Sequence, residues 1–234
     1  MNDTRYRNEL KYLITDNEAE IIRQELSSFL KTDEHASGGK YLISSLYFDD
    51  LYENSFYDVD DGIDQKEKYR IRIYDHSTGM IKLECKRKKN TMTSKTSCDL
   101  DIDTARLLME GKYPKEIAKQ SNVLQWMTYG VMCRRLRPVI IVEYERIPFV
   151  YKYGNVRITL DKNICSSSDL RSFFGDYTLK RPILPEGKHL LEVKYDEYMP
   201  DHIYNCLNDL DLQRISFSKY YLCRAYNVKG GLLL

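Results

Sequence analysis

The chain has 234 residues, of which 42% are hydrophobic and 30% are charged. These proportions are typical of a soluble globular protein with a buried core. Its 36 basic and 35 acidic residues leave a formal net charge of +1, which excludes a protein that binds nucleic acid through strong overall basicity. An anion site must therefore come from local segregation of charge.

Targeting segments and metal motifs are not expected. Met1–Tyr12 alternates charge without an apolar core, and no apolar run approaches the ~18 residues that a membrane span needs. The six cysteines are scattered, with no Cys-x-x-Cys pair, which disfavours a zinc site and a disulfide framework. We predict one domain over residues 1–234, in the cytoplasm, with reduced cysteines.

The N-terminal half is predicted to combine strands with one helix. Thr15 and Glu18 form a capping-box signature before apolar residues at helical spacing, which predicts a helix to about Lys31. Alternation predicts strands that include a hairpin around Asp75–Gly79. These strands are Tyr6–Ile14, Tyr41–Phe48, Glu67–Tyr74 and Met80–Lys88.

The C-terminal half is predicted to hold further strands and most of the helices. The strands are Pro138–Val150, Asn155–Ile164 and Leu190–Tyr195. The helices are Asp103–Glu110, Pro114–Met127, Asp201–Leu210 and Phe217–Asn227. The expected fold is α+β, an eight-stranded antiparallel β-barrel with peripheral helices.

Charged residues occupy one face of several predicted strands. In the segment Lys68–Arg72 the cations share one parity and the apolar residues the other, and further strands repeat this pattern. These faces carry ten cations and four acids, an excess of +6 in a chain of net charge +1. The cations are Arg5, Arg7, Lys11, Lys68, Arg70, Arg72, Lys82, Lys86, Arg157 and Lys194, and the acids are Glu9, Glu84, Asp161 and Glu192.

Two interpretations of these faces remain open. The charged side of an open sheet can simply face water. If the sheet closes, the same side lines a bore, where enclosed like charges repel unless a polyanion such as a phosphate chain fills it. Glu192 and Glu9 then suit Mg²⁺ or Mn²⁺, although both can instead pair with Lys194 or Lys11. The sequence lacks a P-loop, a dinucleotide fingerprint, a nucleophile elbow and an HExxH motif.

The charged strands and their flanking residues resemble the VTC (vacuolar transporter chaperone) domain of the triphosphate tunnel metalloenzyme superfamily. The resemblance runs in order along nearly the whole chain. It is carried by Glu9-Leu-Lys11-Tyr12, Ser44–Asp49, Lys68–Tyr74, Leu83–Lys86, Tyr144–Phe149, Arg157–Asp161, Leu191–Tyr195 and Phe217–Tyr220. It implies an eight-stranded antiparallel tunnel, and the best-known members polymerise polyphosphate from ATP.

The resemblance also implies residue functions. It assigns catalytic phosphate contacts to Arg70, Arg72, Lys86, Arg146 and Arg157, with Tyr144 and Arg146 lining the tunnel and Glu143 and Glu145 facing outward. It assigns further phosphate or nucleotide contacts to Lys11, Lys194, Ser218 and Lys219, and a loose alignment adds Lys95. Glu192 and Glu9 would hold Mn²⁺ or Mg²⁺. Arg7 stands where other tunnel enzymes often carry the first acid of Glu-x-Glu-x-Lys, which favours the polymerase branch.

The expected function is therefore metal-dependent transfer of the γ-phosphoryl group of ATP to a growing polyphosphate chain, releasing ADP. ATP and inorganic polyphosphate are the expected partners, and nucleic acid is not. Two alternatives remain open: a triphosphate or polyphosphate hydrolase on the same scaffold, and a non-catalytic polyphosphate or nucleotide sensor. Water and phosphate as acceptors need the same lining, so the sequence does not choose between them.

Overall fold

The structure is a computed structural model that describes residues 8–34, 36–63, 65–89, 92–116, 121–175 and 179–229. Arg5 and Arg7 lie outside these ranges. The strands are β1 (Asn8–Thr15), β2 (Lys31–Thr32), β3 (Tyr41–Asp49), β4 (Gln65–Tyr74), β5 (Ser77–Lys89), β6 (Met92–Leu100), β7 (Arg137–Tyr151), β8 (Val156–Ser167), β9 (Arg181–Pro182) and β10 (Lys188–Tyr195). The helices are α1 (Asp16–Phe29), α2 (Asn54–Asp60), α3 (Ile102–Met109), α4 (Asn122–Arg134), α5 (Asp201–Asn208) and α6 (Lys219–Lys229).

All ten strands join one antiparallel sheet. Eight follow the order β1-β10-β8-β7-β3-β4-β5-β6, while β2 pairs with β7 and β9 pairs with β8. The predicted α+β class is confirmed. The predicted closed eight-stranded barrel is not, because no backbone pairing joins β1 to β6 within the described ranges. Side chains bridge the gap instead: Lys86 Nζ of β5 lies 3.0 Å from Glu9 Oε2 of β1, so the sheet curls until strands far apart in its order meet.

Local sequence signals explain several boundaries. The Thr15 side chain accepts a hydrogen bond from the backbone N–H of Glu18, and the Glu18 carboxylate accepts one from the backbone N–H of Thr15. This is the predicted capping box. The β4–β5 turn is tighter than predicted, because only Asp75 and His76 separate the strands. Their φ angles of 49° and 54° match the two-residue turns that follow the twist of a hairpin.

Three of the longer elements differ from the sequence expectations, which also lack the two-residue strands β2 and β9. The predictions missed α2 and β6, and β6 is held by pairing with β5 along its whole length rather than by an apolar stripe of its own. The predicted helix Pro114–Met127 is wrong at its start and its end: residues 114–116 are not helical, and residues 117–120 lie outside the described ranges. Ser121 adopts the extended N-cap conformation, so α4 begins at Asn122 and continues to Arg134. Gly130 lets the late turns of α4 pack closely against Leu136, since a Cβ at that position would lie 2.3 Å from the Leu136 side chain.

Helices cover both faces of the curled sheet. On the outer face, α3 and α4 bury one apolar cluster against β3, β4 and β5, while α1 and α5 bury a second against β1, β8 and β10. On the inner face, Phe217 just before α6 and Tyr220 and Cys223 within it pack against β3 and β7. The inner face is thus apolar where α6 covers it, and its polar remainder carries the charged side chains.

Candidate functional site

Thirteen ionisable side chains from seven strands and α6 converge on the inner face, and we call this set the charged interior. It contains nine cations and four carboxylates, which leaves an excess of five positive charges. The cations are Lys11, Lys68, Arg70, Arg72, Lys86, Lys95, Arg146, Lys194 and Lys219. The carboxylates are Glu9, Glu84, Asp161 and Glu192.

Glu84 organises the cations of β4 and β6. Its carboxylate is 1% exposed and lies 2.6 Å from Arg70 Nη2, 3.0 Å from Lys95 Nζ and 3.8 Å from Arg72 Nη1. Burial alone would raise the pKa of Glu84, but these three cations hold it well below its usual range. The carboxylate therefore stays ionised, and it fixes two guanidinium groups beside each other before any ligand arrives.

A second group of ion pairs centres on Lys219, the first residue of α6. Its ammonium lies 2.6 Å from both Glu192 Oε1 and Asp161 Oδ2. Arg146 holds Asp161 with two hydrogen bonds of 2.6 and 2.7 Å. Burial opposes the charge of Lys219, yet Asp161 and Glu192 raise its pKa above the usual value. This group therefore links α6 to β7, β8 and β10 through fully ionised partners.

Glu9 and Glu192 are the carboxylates that the sequence suggests as metal ligands. Lys194 bridges them, at 3.3 Å from Glu9 Oε1 and 3.1 Å from Glu192 Oε2. Although burial opposes ionisation, the surrounding lysines lower the pKa of both groups. In the described ranges no three His, Cys, Asp or Glu side chains group as a metal cage. Two adjacent ionised carboxylates fit Mg²⁺ or Mn²⁺ that takes its other ligands from phosphate and water.

Lys68 and Lys86 are members of the charged interior whose positive charges are poorly stabilised. Burial and neighbouring cations lower the pKa of Lys68 to about 7 and that of Lys86 to about 8. The two residues face each other across β4 and β5, and like charges in that position repel. An anion placed between them would relieve the repulsion and restore both positive charges.

The segment that leads into α6 adds hydrogen-bonding groups. Lys11 Nζ donates to the Phe217 carbonyl at 2.7 Å, and Lys68 Nζ donates to Ser218 Oγ at 3.2 Å. The Tyr220 hydroxyl donates to Asp49, which anchors the first turn of α6 to the end of β3. Ser218 and Lys219 are therefore held among the side chains of the charged interior.

The structure brings together all but one of the residues suggested by the family resemblance. Tyr144 and Arg146 face inward, because the Tyr144 hydroxyl lies 3.5 Å from Arg72 Nη2 and Arg146 binds Asp161. Arg157 lies apart: its side chain is 38% exposed, and its guanidinium pairs with Asp33 at 2.7 Å. It therefore lies at the margin of the site rather than within it.

Sequence reasoning gave no function to Lys68, Glu84 and Asp161. Their strand parity placed them on the charged face, but the contacts of their side chains depend on how the strands and α6 come together, which parity does not fix. Asp49 was missed for a related reason, because its partner Tyr220 lies 171 positions along the chain. Glu143 faces outward as expected, yet it is 5% exposed and pairs with Lys180.

The comparison with family models supplies the identity of this fold. The VTC domain model matches residues 6–228, nearly the whole chain. The chain belongs to the VTC domain family. The predicted family is thereby confirmed. Among curated proteins, no sequence matches the chain.

Several solved structures resemble the VTC domain described here. A proposed adenylyl cyclase from Hippeastrum, reported to show a dominant triphosphatase activity, is 15% identical, with a TM-score of 0.54 and 97% of each chain covered. A proposed adenylate cyclase from Bacillus halodurans is 14% identical, with a TM-score of 0.51, and the match covers 92% of this chain and 94% of that one. A protein from Pyrococcus horikoshii is also 14% identical, with a TM-score of 0.51 and coverage of 95% and 99%. At these identities the likeness shows a shared fold.

Helices long and apolar enough to cross a membrane are not found in the described parts of the chain.

Proposed function

We propose that this VTC domain is a metal-dependent phosphotransferase that moves the γ-phosphoryl group of ATP to the end of an inorganic polyphosphate chain. The observation that carries the proposal is the excess of five positive charges in the charged interior, gathered around the carboxylates Glu9 and Glu192. Enclosed cations at this density are costly without an anion. A phosphate chain supplies one negative charge per unit and matches them.

The residues of the charged interior supply binding and alignment. Arg70 and Arg72, held side by side by Glu84, are placed to bind non-bridging phosphate oxygens with paired N–H donors. Lys219 and Arg146, which lie over the Tyr144 ring next to Arg72, would contact the transferred group as well. The terminal oxygen of the acceptor attacks the γ-phosphorus, and the bond to the β–γ bridging oxygen breaks as ADP leaves. Positioning and electrostatic stabilisation suffice for such a transfer, so no protein nucleophile is needed.

A divalent cation held by Glu192 and Glu9 would neutralise charge on the phosphate oxygens. All other features of the proposal rest on the protein's own cations. Lys68 and Lys86, whose pKa values are lowered to about 7 and about 8, would each hold a full proton once phosphate lies between them.

A hydrolase on the same scaffold is the second candidate. It is favoured by the triphosphatase activity reported for the Hippeastrum protein of the same fold. In that reaction water replaces the phosphate acceptor while the donor side stays unchanged. A non-catalytic sensor would keep the cations and could dispense with Glu192, so the presence of Glu192 favours an enzyme.

Product analysis tests the proposal. Purified protein incubated with ATP and Mn²⁺ or Mg²⁺ should release ADP and form phosphate chains of increasing length, resolved by size. The variant R72A should lose this activity, whereas R106A, on the exposed side of α3, should keep it. Orthophosphate as the only product would establish the hydrolase, and retained tripolyphosphate binding without turnover would establish the sensor.

A further inference from the structure

A cleft of about 880 Å³ lies outside the charged interior, at one end of the sheet. Its walls come from the segment after β3, from α2, from the first part of β4, from the end of β5, from β6, and from the end of α4 with the residue that follows it. None of the residues predicted from the sequence to form the site lines it.

The cleft is rich in positive charge. Five cations and three carboxylates line it. Two of the carboxylates already have partners: Glu67 binds Arg87 at 2.8 Å and Arg134 at 3.0 Å, and Asp50 accepts hydrogen bonds from the N–H groups of Tyr52 and Asn54. Glu67 thus matches Arg87 and Arg134, and the cleft as a whole keeps a formal excess of two positive charges. The cations are Lys66, Arg87, Lys88, Arg134 and Arg135.

Strand register connects the cleft to the charged interior. Lys66 faces Lys88 across β4 and β5, and two residues further along the same face Lys68 faces Lys86. Two successive lysine pairs in direct opposition destabilise a sheet by mutual repulsion. A linear polyanion lying over both pairs would turn this repulsion into attraction. The two lysine pairs therefore form a continuous row of cations from the charged interior to the cleft, where Lys66 and Lys88 line its wall.

We propose that the cleft binds the part of a polyphosphate chain that extends beyond the charged interior. This inference rests on the proposed function, since it takes polyphosphate as the ligand class. The lysine pairs and the cleft would hold successive phosphate units of one chain. Long chains would then bind by two connected surfaces, whereas tripolyphosphate is too short to reach beyond the first.

The test measures affinity as a function of chain length, without ATP or metal. The double variant K88Q/R134Q removes two cations from the cleft. The matched control R23Q/K112Q removes two cations elsewhere. Arg23 is an exposed, Glu-paired arginine on α1, with 44% of its side chain exposed against 43% for Arg134, and Lys112 is likewise paired with a glutamate.

We expect the cleft variant to bind long-chain polyphosphate roughly tenfold or more weakly than the parent, because it loses charge-assisted contacts. Its affinity for tripolyphosphate should match the parent's, and the salt dependence of long-chain binding should become shallower because fewer counterions are released. The control variant should match the parent for both ligands.

Three results would overturn the proposal: parent protein that binds long chains no more tightly than tripolyphosphate, a cleft variant that matches the control, or equal losses for both ligands. The product-size assay judges the proposed function separately. A hydrolase or a sensor can still bind long chains through the cleft, and a polymerase can lack this surface.

Discussion

Glu192 has more cationic neighbours than a structural ion pair requires. Lys219 lies 2.6 Å from it, Lys194 3.1 Å, Arg146 3.6 Å and Lys11 4.0 Å. One or two of these cations would balance the charge of a buried carboxylate. Each of the four also has a second acidic partner, Asp161 or Glu9, so the cations keep a partner if the Glu192 carboxylate turns toward another ligand. On the proposed function, Glu192 would exchange lysine contacts for a metal ion that arrives with phosphate.

The variant E192Q tests this assignment. It keeps the shape of the side chain and removes its charge, so we expect turnover with Mn²⁺ to fall about 100-fold or more. Tripolyphosphate binding without metal should persist or strengthen, since Lys219 keeps Asp161 and Lys194 keeps Glu9 as partners. Calorimetric titration of Mn²⁺ into the tripolyphosphate complex should show weakened metal binding. The control is E145Q, because the carboxylate of Glu145 faces outward to Lys40. Equal Mn²⁺ affinity in E192Q and E145Q would remove Glu192 from the metal site.

At the scale of elements, α6 determines the shape of the charged interior. Its first residue bridges Asp161 and Glu192, and Tyr220 lies beneath Lys68, with 5.0 Å from the ammonium to the ring centre. The Tyr220 hydroxyl donates to Asp49, whose carboxylate also accepts the N–H groups of Ser55 and Phe56 in α2. Asp49 thus joins β3, α2 and α6 at a single buried group.

The variant Y220F should show that Tyr220 positions the start of α6. Losing a hydrogen bond to a buried carboxylate costs about 1.5–3 kcal/mol of unfolding free energy. If the anchor sets the place of Ser218 and Lys219, tripolyphosphate affinity should also fall severalfold, measured at a temperature where the variant is fully folded. The control Y226F removes a hydroxyl further along the same helix and should leave affinity unchanged. Lost stability with unaltered affinity would limit Tyr220 to a structural contribution.

How far the sequence predicts these elements depends on the range of the interactions. The helix α1 and the β4–β5 hairpin follow from local signals, namely the Thr15–Glu18 capping box and the alternating parity of Lys68–Arg72. The family resemblance adds predictions for most residues of the charged interior. It does not give the register that opposes Lys66 to Lys88, the contact of Lys86 with Glu9 across the curled sheet, or the cleft, because each joins residues whose proximity depends on the whole fold.

For the whole molecule, the charged interior links stability and ligand binding to pH in opposite directions. Lys68 has a pKa of about 7 in the folded protein, whereas an unfolded lysine titrates near 10.4. Between these values the unfolded chain binds more protons, so the free energy of unfolding rises with pH. If phosphate binds at Lys68 as proposed, it favours the protonated lysine, so binding should take up protons and weaken as pH rises through the same range.

The variant K68R separates these effects, because arginine keeps its charge throughout the range. For the parent, tripolyphosphate affinity should fall as pH rises from 7 towards 10, and calorimetry in two buffers of different ionisation enthalpy should show proton uptake on binding. In K68R both the slope and the uptake should decrease. The titration of the ligand itself is common to both proteins and cancels in the comparison.

A smaller slope should remain in K68R because of Lys86, whose pKa is about 8. The Lys86 side chain is 36% exposed, so solvent weakens the coupling between its charge and bound phosphate. Equal proton uptake by parent and K68R would show that phosphate does not bind at Lys68.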